Sequence, residues 1–291
     1  MDVLAPLLAV DTPSLMYRAF FALPKSITDD DDQPVNALLG TANLILFVVE
    51  RYAPRAVVLC WGAEAAHYRT ELFEPYHADR PPMPPELERQ WEDAPEFFSA
   101  FGWQSLSAGD LEADDLLGSL ADVETAAGGQ ALLFTGDRDM FQCVDDAVTV
   151  LFPRGGKDGP EVVDPAGVRE RYGIEPEQVP DFIALRGDPS DGLPGAKGIG
   201  AKTARDLLRE HGTLDGVIAA ASKPGRMTAR QAGALTADPN ALRAFKDIAT
   251  LRPIALESPA DAALDGGAAA AAARARGMNR LAERLEAWPA I

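Results

Sequence analysis

The stretch ALLFTGDRD, residues 131–139, joins a short apolar run to two aspartates that follow its end. Comparable apolar runs stop abruptly at polar residues in three other places: Leu7–Val10, Ala56–Leu59 and Val148–Leu151. Apolar runs this short and this continuous are typical of strands that are buried on both faces of a parallel sheet. Together the runs predict the strands of an α/β fold.

Segments with helical spacing of apolar residues lie between and beyond these strands. They are Asn36–Arg51, Leu111–Ala127, Ala201–His211, Pro239–Leu251 and Met278–Trp288. The alternation predicts a mainly parallel sheet flanked by helices. Because the strand signal fades near residue 180, we expect an α/β unit over residues 1–180 and a helical unit over residues 181–291. The proline-rich stretch Arg80–Pro85 predicts an exposed loop, and Gly266–Arg276 a loose linker.

The chain of 291 residues carries 27 basic and 45 acidic residues, a formal net charge of −18. Such a charge argues against binding nucleic acid through bulk charge, and it leaves a local basic patch open. Cys60 and Cys143 lie beside apolar residues, which predicts buried thiols in a reducing compartment. The N-terminal run lacks the features of a signal peptide, and no apolar stretch is long enough to span a membrane. We expect a cytoplasmic, monomeric protein without membrane contact.

Carboxylates concentrate where strands end and helices begin, in four clusters: Asp11; Glu112, Asp114 and Asp115; Asp137 and Asp139; Asp188 and Asp191. Each cluster alone has an ordinary explanation, as acids that stabilise a helix N-terminus or a turn. Ligands of parallel sheets bind at the carboxyl ends of the strands, so together the clusters should share one edge. That many carboxylates share a site only with divalent cations, and ligands that are all oxygen suit Mg²⁺ or Mn²⁺. Two such ions about 4 Å apart stabilise the attacking and leaving oxygens of a phosphodiester.

The segment Gly192–Arg205, GLPGAKGIGAKTAR, carries Lys197, Lys202 and Arg205 and no acid. Closely spaced glycines that lead into a helix expose backbone N–H groups to an anion. The residue between Gly200 and Lys202 excludes a P-loop, and no apolar strand leads into the segment as a dinucleotide fingerprint requires. Two interpretations remain: a tight connector between helices, and a helix–hairpin–helix element that grips a nucleic-acid backbone.

Four motifs, in order along the chain, resemble those of the bacterial and phage 5′ nucleases. That family includes the 5′→3′ exonuclease domain of DNA polymerase I and free-standing flap endonucleases. The motifs are LLAVDTPSLMYRAFFAL, GDLEADD, TGDRDMFQ and ALRGDPSDGLPGAKGIGAKTA. The resemblance covers about residues 5–255. It implies a PIN-like nuclease core with a helical arch, about residues 64–100, and a C-terminal helical region with a helix–three-turn–helix DNA-binding element.

The resemblance also implies a function and its residues. The expected activity is metal-dependent 5′→3′ exonuclease and 5′ flap endonuclease cleavage of DNA, beside a separate DNA polymerase, in primer removal or repair. The expected cofactors are two or more Mg²⁺ or Mn²⁺ ions, with K⁺ at the helix–three-turn–helix, and the expected partner is duplex, nicked or 5′-flap DNA. The residues expected to hold the divalent metals are Asp11, Glu112, Asp114, Asp115, Asp137, Asp139, Asp188 and Asp191. Those expected at the phosphate are Arg18, Arg69, His77 and Arg80, and those at the duplex are Gly195, Lys197, Gly198, Gly200, Lys202 and Thr203.

Two residues depart from the pattern of these nucleases. Where they usually have Phe-Asp after the second strand, this chain has Trp61-Gly62, and where an arch lysine usually polarises the phosphate it has His77. Glu64 reaches toward the metals if the chain stays extended, although a surface glutamate is the simpler interpretation. The departures keep open a second hypothesis, a catalytically weakened DNA-binding protein of the same fold. A PIN-type ribonuclease is disfavoured by the GIGAKTA element, which such proteins lack.

Overall fold

The computed structural model describes residues 5–154, 158–225 and 227–289, so the first four residues of the N-terminal apolar run lie outside the described residues. A six-stranded sheet forms the centre. Its strands are β1 Leu7–Asp11, β2 Ala56–Trp61, β3 Gln104–Ser107, β4 Ala131–Phe134, β5 Val148–Phe152 and β6 Glu161–Val163. They lie in the order β3-β2-β1-β4-β5-β6; β1 to β5 run parallel, and β6 pairs antiparallel at one edge.

The four strands predicted from apolar runs are confirmed, and the two that the sequence analysis missed are both edge strands. In β3 partly buried and exposed residues alternate, and β6 is three residues long with one buried residue. An edge strand contacts the core on one face and solvent on the other, so it needs no continuous apolar run. The rule that detects buried strands therefore passes over such edges.

Helices cover both faces of the sheet. They are α1 Thr12–Ala22, α2 Asn36–Tyr52, α3 His67–Leu72, α4 Pro85–Ser99, α5 Ala113–Ala126, α6 Pro165–Tyr172, α7 Val179–Arg186, α8 Ala201–His211, α9 Leu214–Ala221, α10 Ala229–Thr236, α11 Pro239–Ala249, α12 Gly266–Arg274 and α13 Asn279–Glu286. The core divides accordingly, because successive side chains of a strand point to opposite faces. Leu8 and Val10 pack with α1, α2, α4, α12 and α13, whereas Leu7 and Ala9 pack with α5 and the helices from α7 to α11.

The structure bears on two expectations about the organisation of the chain. Helix α7 runs through residue 180, where the sequence analysis divides the chain. The loose linker expected over Gly266–Arg276 is wrong, because most of it forms α12. Ala269, Ala270 and Ala273 are buried in the core layer that contains α1, α2 and α4. Their small side chains allow α12 to pack closely against its neighbours.

Two further features bear on the expected environment of the chain. Both cysteines carry free thiols, and burial raises the pKa of the Cys60 thiol, which keeps it protonated and unreactive. In the described part of the chain, no helix is both long and apolar enough to cross a membrane.

Candidate active site

A cleft of about 950 Å³ opens at the carboxyl ends of β1 and β4. Seven of the eight carboxylates that the sequence analysis expected at a metal line it: Asp11, Glu112, Asp114, Asp137, Asp139, Asp188 and Asp191. They come from strand ends, from the start of α5 and from the turn after α7. The parallel sheet is what brings segments so distant in sequence to one edge.

The strand ends are fixed to each other by hydrogen bonds around Asp11. The backbone N–H of Ser14 donates to Asp11 Oδ1 at 3.1 Å, which caps α1, and the Thr135 hydroxyl donates to Asp11 Oδ2 at 2.6 Å. The N–H of Asp137 donates to that same hydroxyl at 2.9 Å, and the N–H of Asp139 donates to Asp137 Oδ1 at 2.7 Å. Thr135 therefore links the end of β1 to the acidic turn after β4.

Four carboxylates of the cleft, Asp11, Asp114, Asp137 and Asp139, have no ion-pair partner among the described residues. Removal from bulk water raises the pKa of Asp137 to about 7, and the neighbouring Asp191 carboxylate adds to that rise. Burial and the repulsion of Asp137 raise the pKa values of Asp114 and Asp139 well above the ordinary value for aspartate. The side chains of these residues therefore make the cleft a place where negative charge is in excess.

The donor chemistry of the cleft fits divalent cations. The candidate ligand atoms of its acidic residues are all oxygens. A divalent cation beside a carboxyl group favours its ionised form and so offsets the cost of burial and repulsion. Among the described residues, no three His, Cys, Asp or Glu side chains already converge as a group that could hold an ion. The shared cleft, the type of donor atom and the uncompensated charge together favour a divalent-cation site.

Asp115 lies on the opposite side of the α5 start and is completely buried. The Arg69 guanidinium donates to both of its oxygens, at 2.9 and 3.1 Å. The backbone N–H groups of Glu112 and Arg252 donate to it as well, at 3.1 and 2.7 Å. With both oxygens engaged, Asp115 faces away from the cleft, in contrast to its expected place among metal ligands.

Arg69, expected beside the phosphate, borders the cleft but belongs to the same buried network. Its side chain is 3% exposed, and its Nε donates to the carbonyl oxygen of Ile248 at 2.9 Å. Its third partner is Glu112, whose Oε1 lies 3.0 Å from Nη1. Arg69 thus joins the start of α5 to the end of α11, and its hydrogen-bond donors are used within the protein.

Glu112 and His77 connect the acidic cleft to the segment between α3 and α4. Glu112 accepts hydrogen bonds from the N–H of Ala66 at 2.7 Å and from the Tyr76 hydroxyl at 3.0 Å. The His77 ring stacks on Tyr76; its Nδ1 lies 2.9 Å from the carbonyl oxygen of Glu64, and its Nε2 lies 3.0 Å from Asp191 Oδ1. His77 therefore joins the segment between α3 and α4 to Asp191 at the edge of the cleft.

The two remaining arginines expected at the phosphate lie in different surroundings. Arg80 lines the cleft, is 40% exposed and lies 3.5 Å from Asp191, so it keeps donors free for an anion. Arg18 is partly buried on α1 and is not among the residues that line the cleft. The sequence analysis did not select Arg138 and Arg186, which do line it. Their positions inside the TGDRD and LRGD motifs were the available signal.

Aromatic residues that the sequence analysis did not select also line the cleft. Tyr17 and Phe21 lie one turn apart on α1, with ring centroids 6.5 Å apart, and Phe21 is 71% exposed. Trp91 of α4 meets Tyr17 edge-on at 6.1 Å and Trp61 at 5.1 Å. Such faces can stack on unpaired bases. We call Tyr17, Phe21 and Trp91 the aromatic wall.

The glycine-rich turn lies between α7 and α8, as the helix–three-turn–helix interpretation requires. Gly192, Gly195 and Gly198 have φ values of +75°, +63° and +79°, which disfavour other residues. A side chain at Gly195 would also collide with the backbone of Gly187, 2.3 Å from its Cβ position. The turn is thus compact, and its conformation depends on glycine.

Basic residues around this turn remain available for an anion. Lys197, Gly200 and Lys202 are exposed and Thr203 is partly buried. Arg230 of α10 also reaches the turn, with its Nη2 atom 3.1 Å from the Cβ position of Gly198. Within the described residues, neither lysine nor Arg230 forms an ion pair. No sequence motif marks Arg230, because its approach to the turn is purely spatial.

Two family models match consecutive parts of the chain. The 5′-3′ exonuclease N-terminal resolvase-like domain matches residues 6–173, and the 5′-3′ exonuclease C-terminal SAM fold matches residues 174–265. The chain belongs to the 5′-3′ exonuclease family. The resemblance identified from the four motifs is therefore confirmed.

Individual members of this family show how the match extends. A 5′-3′ exonuclease of Streptomyces coelicolor is 39% identical over 242 residues, which is 78% of this chain and 79% of that protein. The thermostable DNA polymerase I of Thermus thermophilus is 41% identical over 211 residues, 72% of this chain and 25% of the polymerase. The chain thus spans about a quarter of the length of its polymerase relatives.

Solved structures confirm the expected fold class. The T5 D15 protein co-crystallised with metal ions aligns with a TM-score of 0.69 at 17% identity, over 96% of both chains. The catalytic core of Rad2 in complex with a DNA substrate aligns with a TM-score of 0.66 at 15% identity, over 98% of this chain and 92% of that one. At such low identity the likeness shows a shared fold: a mostly parallel sheet flanked by helices, with a helical C-terminal region.

The departure from the family pattern at Gly62 has a steric cause in this chain. A Cβ atom there would lie 2.5 Å from the backbone nitrogen of Ala113 and from the carbonyl carbon of Glu112. The end of β2 is therefore pressed against the start of α5, and an aspartate would require the backbone to shift. Glu64 lines the cleft with an exposed side chain, and its carbonyl oxygen contacts His77 Nδ1 at 2.9 Å and accepts a hydrogen bond from Arg80 at 3.4 Å.

Proposed function

We propose that this member of the 5′-3′ exonuclease family is a divalent-metal-dependent nuclease that hydrolyses DNA phosphodiesters near 5′ ends. It would act exonucleolytically on duplexes and endonucleolytically at 5′ flaps. The observation that carries the proposal is the group of carboxylates without an ion-pair partner, Asp11, Asp114, Asp137 and Asp139, in one cleft of this family's fold. Carboxylates in this position are suited to bind cations.

Six carboxylates would hold two or more Mg²⁺ or Mn²⁺ ions: Asp11, Asp114, Asp137, Asp139, Asp188 and Asp191. Bound there, the metals would supply a nucleophilic water at neutral pH and stabilise charge on the phosphate oxygens. Glu112 borders the cleft, but its carboxylate already accepts hydrogen bonds from the arch segment. It would therefore fix that segment and lie at the edge of the metal site. Asp115 and Arg69 act one step further away, because they fix the start of α5 that carries Asp114.

Basic side chains that line the cleft would orient the scissile phosphate. Arg80 keeps an exposed guanidinium 3.5 Å from Asp191, and the His77 imidazole lies between Asp191 and the carbonyl oxygen of Glu64. Both residues belong to the segment that joins α3 to α4, so an arch that binds substrate and the metal-binding edge meet at Asp191. Arg138 and Arg186 would neutralise adjacent phosphates.

The glycine-rich turn would grip the duplex away from the cleavage site. It would contact one phosphate backbone, without reading bases, through its amides near Gly195, Gly198 and Gly200 and through Lys197, Lys202 and Thr203. The turn would also bind K⁺, as the resemblance to the 5′ nucleases implies. Arg230 would add a third cation to this surface. Because the total charge is −18, binding would depend on these local cations and fall steeply with salt.

The biological setting remains part of the proposal. We infer a monomeric cytoplasmic enzyme that removes primers or repairs DNA beside a separate polymerase. The names of the relatives support DNA as the substrate, since the matched segment is one quarter of a DNA polymerase I in Thermus and most of a 5′-3′ exonuclease in Streptomyces.

Cleavage of a duplex with a labelled 5′ flap, with Mn²⁺ or Mg²⁺ and with EDTA, tests the proposal. We expect metal-dependent release of the flap by the wild-type protein and its loss in Asp114→Asn and Asp137→Asn. Tight flap binding without metal-dependent cleavage would instead support the second hypothesis, a binding protein weakened by Gly62 and His77. A matched RNA flap separates a deoxyribonuclease from a ribonuclease.

A further inference from the structure

The last two helices, α12 and α13, form a C-terminal hairpin beyond both family matches, which end at residue 265. The hairpin is an integral part of the core layer that contains α2 and α4. Its residues Ala270, Met278 and Leu285 are buried there with the α4 residues Phe97 and Phe98. The hairpin therefore packs on the same side of the sheet as α4, the last helix of the expected arch.

The hairpin grips α4 through Arg276, which lies in the turn between α12 and α13. Its guanidinium donates to both carboxylate oxygens of Asp93, and its side chain is 14% exposed. The same guanidinium lies over the ring of Phe97, 5.2 Å from the centroid, and donates to the carbonyl oxygen of Ala272 at 3.2 Å. A bidentate, partly buried contact of this kind fixes geometry more strongly than a surface ion pair.

Helix α4 needs such support because it contains an interior proline. Pro95 has no N–H group, so the helical hydrogen bond to the carbonyl oxygen of Trp91 cannot form. Interior proline also weakens a helix by about 3 kcal/mol through ring crowding and the lost bond. The weakened turn runs from Trp91 to Pro95, and Asp93 lies at its middle. Arg276 therefore contacts α4 at the turn that lacks its own bond.

That same turn carries the only α4 side chain that belongs to the aromatic wall. Trp91 lines the cleft and meets Tyr17 and Trp61 edge-on, at 6.1 and 5.1 Å. Any change in the path of α4 at residues 91–95 changes where the Trp91 ring lies relative to Tyr17. The chain of contacts leads from Arg276 through Asp93 to the wall of the cleft.

We propose that Arg276 is a positioning residue that replaces the helical bond lost at Pro95 and so holds Trp91 in the aromatic wall, where the unpaired 5′ strand of the substrate stacks. This inference rests on the proposed function for its substrate. It assigns to the C-terminal hairpin a contribution to the recognition of single-stranded 5′ ends, whereas the duplex is held by the glycine-rich turn. Arg276 touches neither substrate nor metal and acts only through α4.

The test compares two DNA duplexes that differ only in an unpaired 5′ tail. For Arg276→Gln we expect KM on the tailed duplex to rise about five- to tenfold, since part of one base-stacking contact is lost. The dissociation constant for the untailed duplex, measured with Ca²⁺ in place of the active metal, should stay within about twofold of the wild-type value because the glycine-rich turn is untouched.

Two further variants separate positioning from simple loss of structure. In Arg284→Gln the hairpin loses its ion pair with Glu50 of α2, so a comparable surface contact is removed without touching α4; KM should not change. Pro95→Ala restores the N–H group to α4, so adding it to Arg276→Gln should return KM most of the way to the wild-type value. Melting temperatures of all variants identify any general loss of stability.

Equal weakening on both duplexes, an unchanged KM in Arg276→Gln, or no rescue by Pro95→Ala would each overturn the proposal. If the wild-type protein cleaves neither duplex, the proposed function fails first. The dissociation constants for tailed and untailed DNA then test the positioning role without cleavage, with the same expected difference between the two.

Discussion

Asp114 and Asp115 are neighbours in the chain, and the first turn of α5 sends them into opposite environments. Asp114 lines the cleft beside other carboxylates, and its pKa rises well above the ordinary value because of burial and the repulsion of Asp137. Asp115 is completely buried, where Arg69 and two backbone N–H groups occupy its oxygens. One residue of helical rotation therefore separates a group that awaits a cation from one already neutralised.

The comparison extends to the whole acidic set. Asp114, Asp137 and Asp139 stay unpaired at the cleft, which costs stability and keeps their oxygens available. Asp115 and Glu112 are bound by Arg69 and Tyr76, which gives up their oxygens and fixes the scaffold. Acids within a single motif thus have two different roles: some are available to bind cations, and others stabilise the fold. Experiments can separate the two roles.

The largest effect should come from removing an unpaired carboxylate. Asp114→Asn and Asp137→Asn should each lower the rate of flap cleavage about a thousandfold, because several kcal/mol of metal-mediated stabilisation are lost. The melting temperature of the metal-free protein should be unchanged or higher, since a repelling charge disappears. Rates at saturating Mn²⁺ and melting curves in EDTA check both parts. A lower melting temperature in either variant would place that residue with the scaffold.

Breaking the neutralised pair should have the opposite signature. Arg69→Gln leaves Asp115 buried without its counter-charge, so the free energy of unfolding should fall by about 3–5 kcal/mol. Urea unfolding in EDTA measures this change. Arg80→Gln is the matched control, because Arg80 lies at the same cleft but is 40% exposed, and it should lower that free energy by less than about 1 kcal/mol. Similar losses in both variants would contradict the distinction.

The unpaired set should also be visible in the dependence of stability on pH. The pKa of Asp137, about 7 in the folded protein, lies above its ordinary value of 3.8, so the folded state holds that proton more tightly than the unfolded chain. The resulting stabilisation is complete below about pH 4 and is lost as the pH rises through 7. In EDTA, the difference in unfolding free energy between wild type and Asp137→Asn should therefore change across that window. A constant difference from pH 4 to 8 would show that Asp137 is not perturbed.

The smallest expected effect concerns the cations at the glycine-rich turn. Arg230→Gln should weaken binding to duplex DNA about two- to fivefold and lower the salt dependence by about one counterion, because one phosphate contact is lost. Arg243→Gln is the control, since that exposed arginine pairs with Asp215 and lies on another helix. Binding isotherms between low and moderate salt measure both values. Identical salt slopes for wild type and Arg230→Gln would remove Arg230 from the DNA-binding surface.

Gly62 shows what a family pattern alone leaves out. The pattern suggests a missing metal ligand, whereas the structure shows that a side chain at this position would collide with the start of α5. Gly62→Asp is therefore expected to disturb the turn that carries Asp114. The sequence contains no sign of this, because the collision partners are fifty residues further along the chain.

Much of the fold and of the candidate site followed from the sequence because its signals are local. Buried strands announce themselves as short apolar runs, and carboxylates at strand ends must meet at one edge of a parallel sheet. The order of four motifs then identified the family. The sequence analysis did not predict the edge strands or helix α12. Their stability comes from packing on one face and from close helix contacts, which leave no local sequence pattern.

By itself, the sequence determined the α/β core, the family and the collection of acids at one edge. Only the tertiary structure decided which acids keep free oxygens, that Arg69 is committed to Asp115, and that Arg276 supports the turn of α4 weakened by Pro95. The reason is physical. Strand burial and motif order depend on neighbours in the chain, whereas the charge state and the role of a side chain depend on partners brought close by folding.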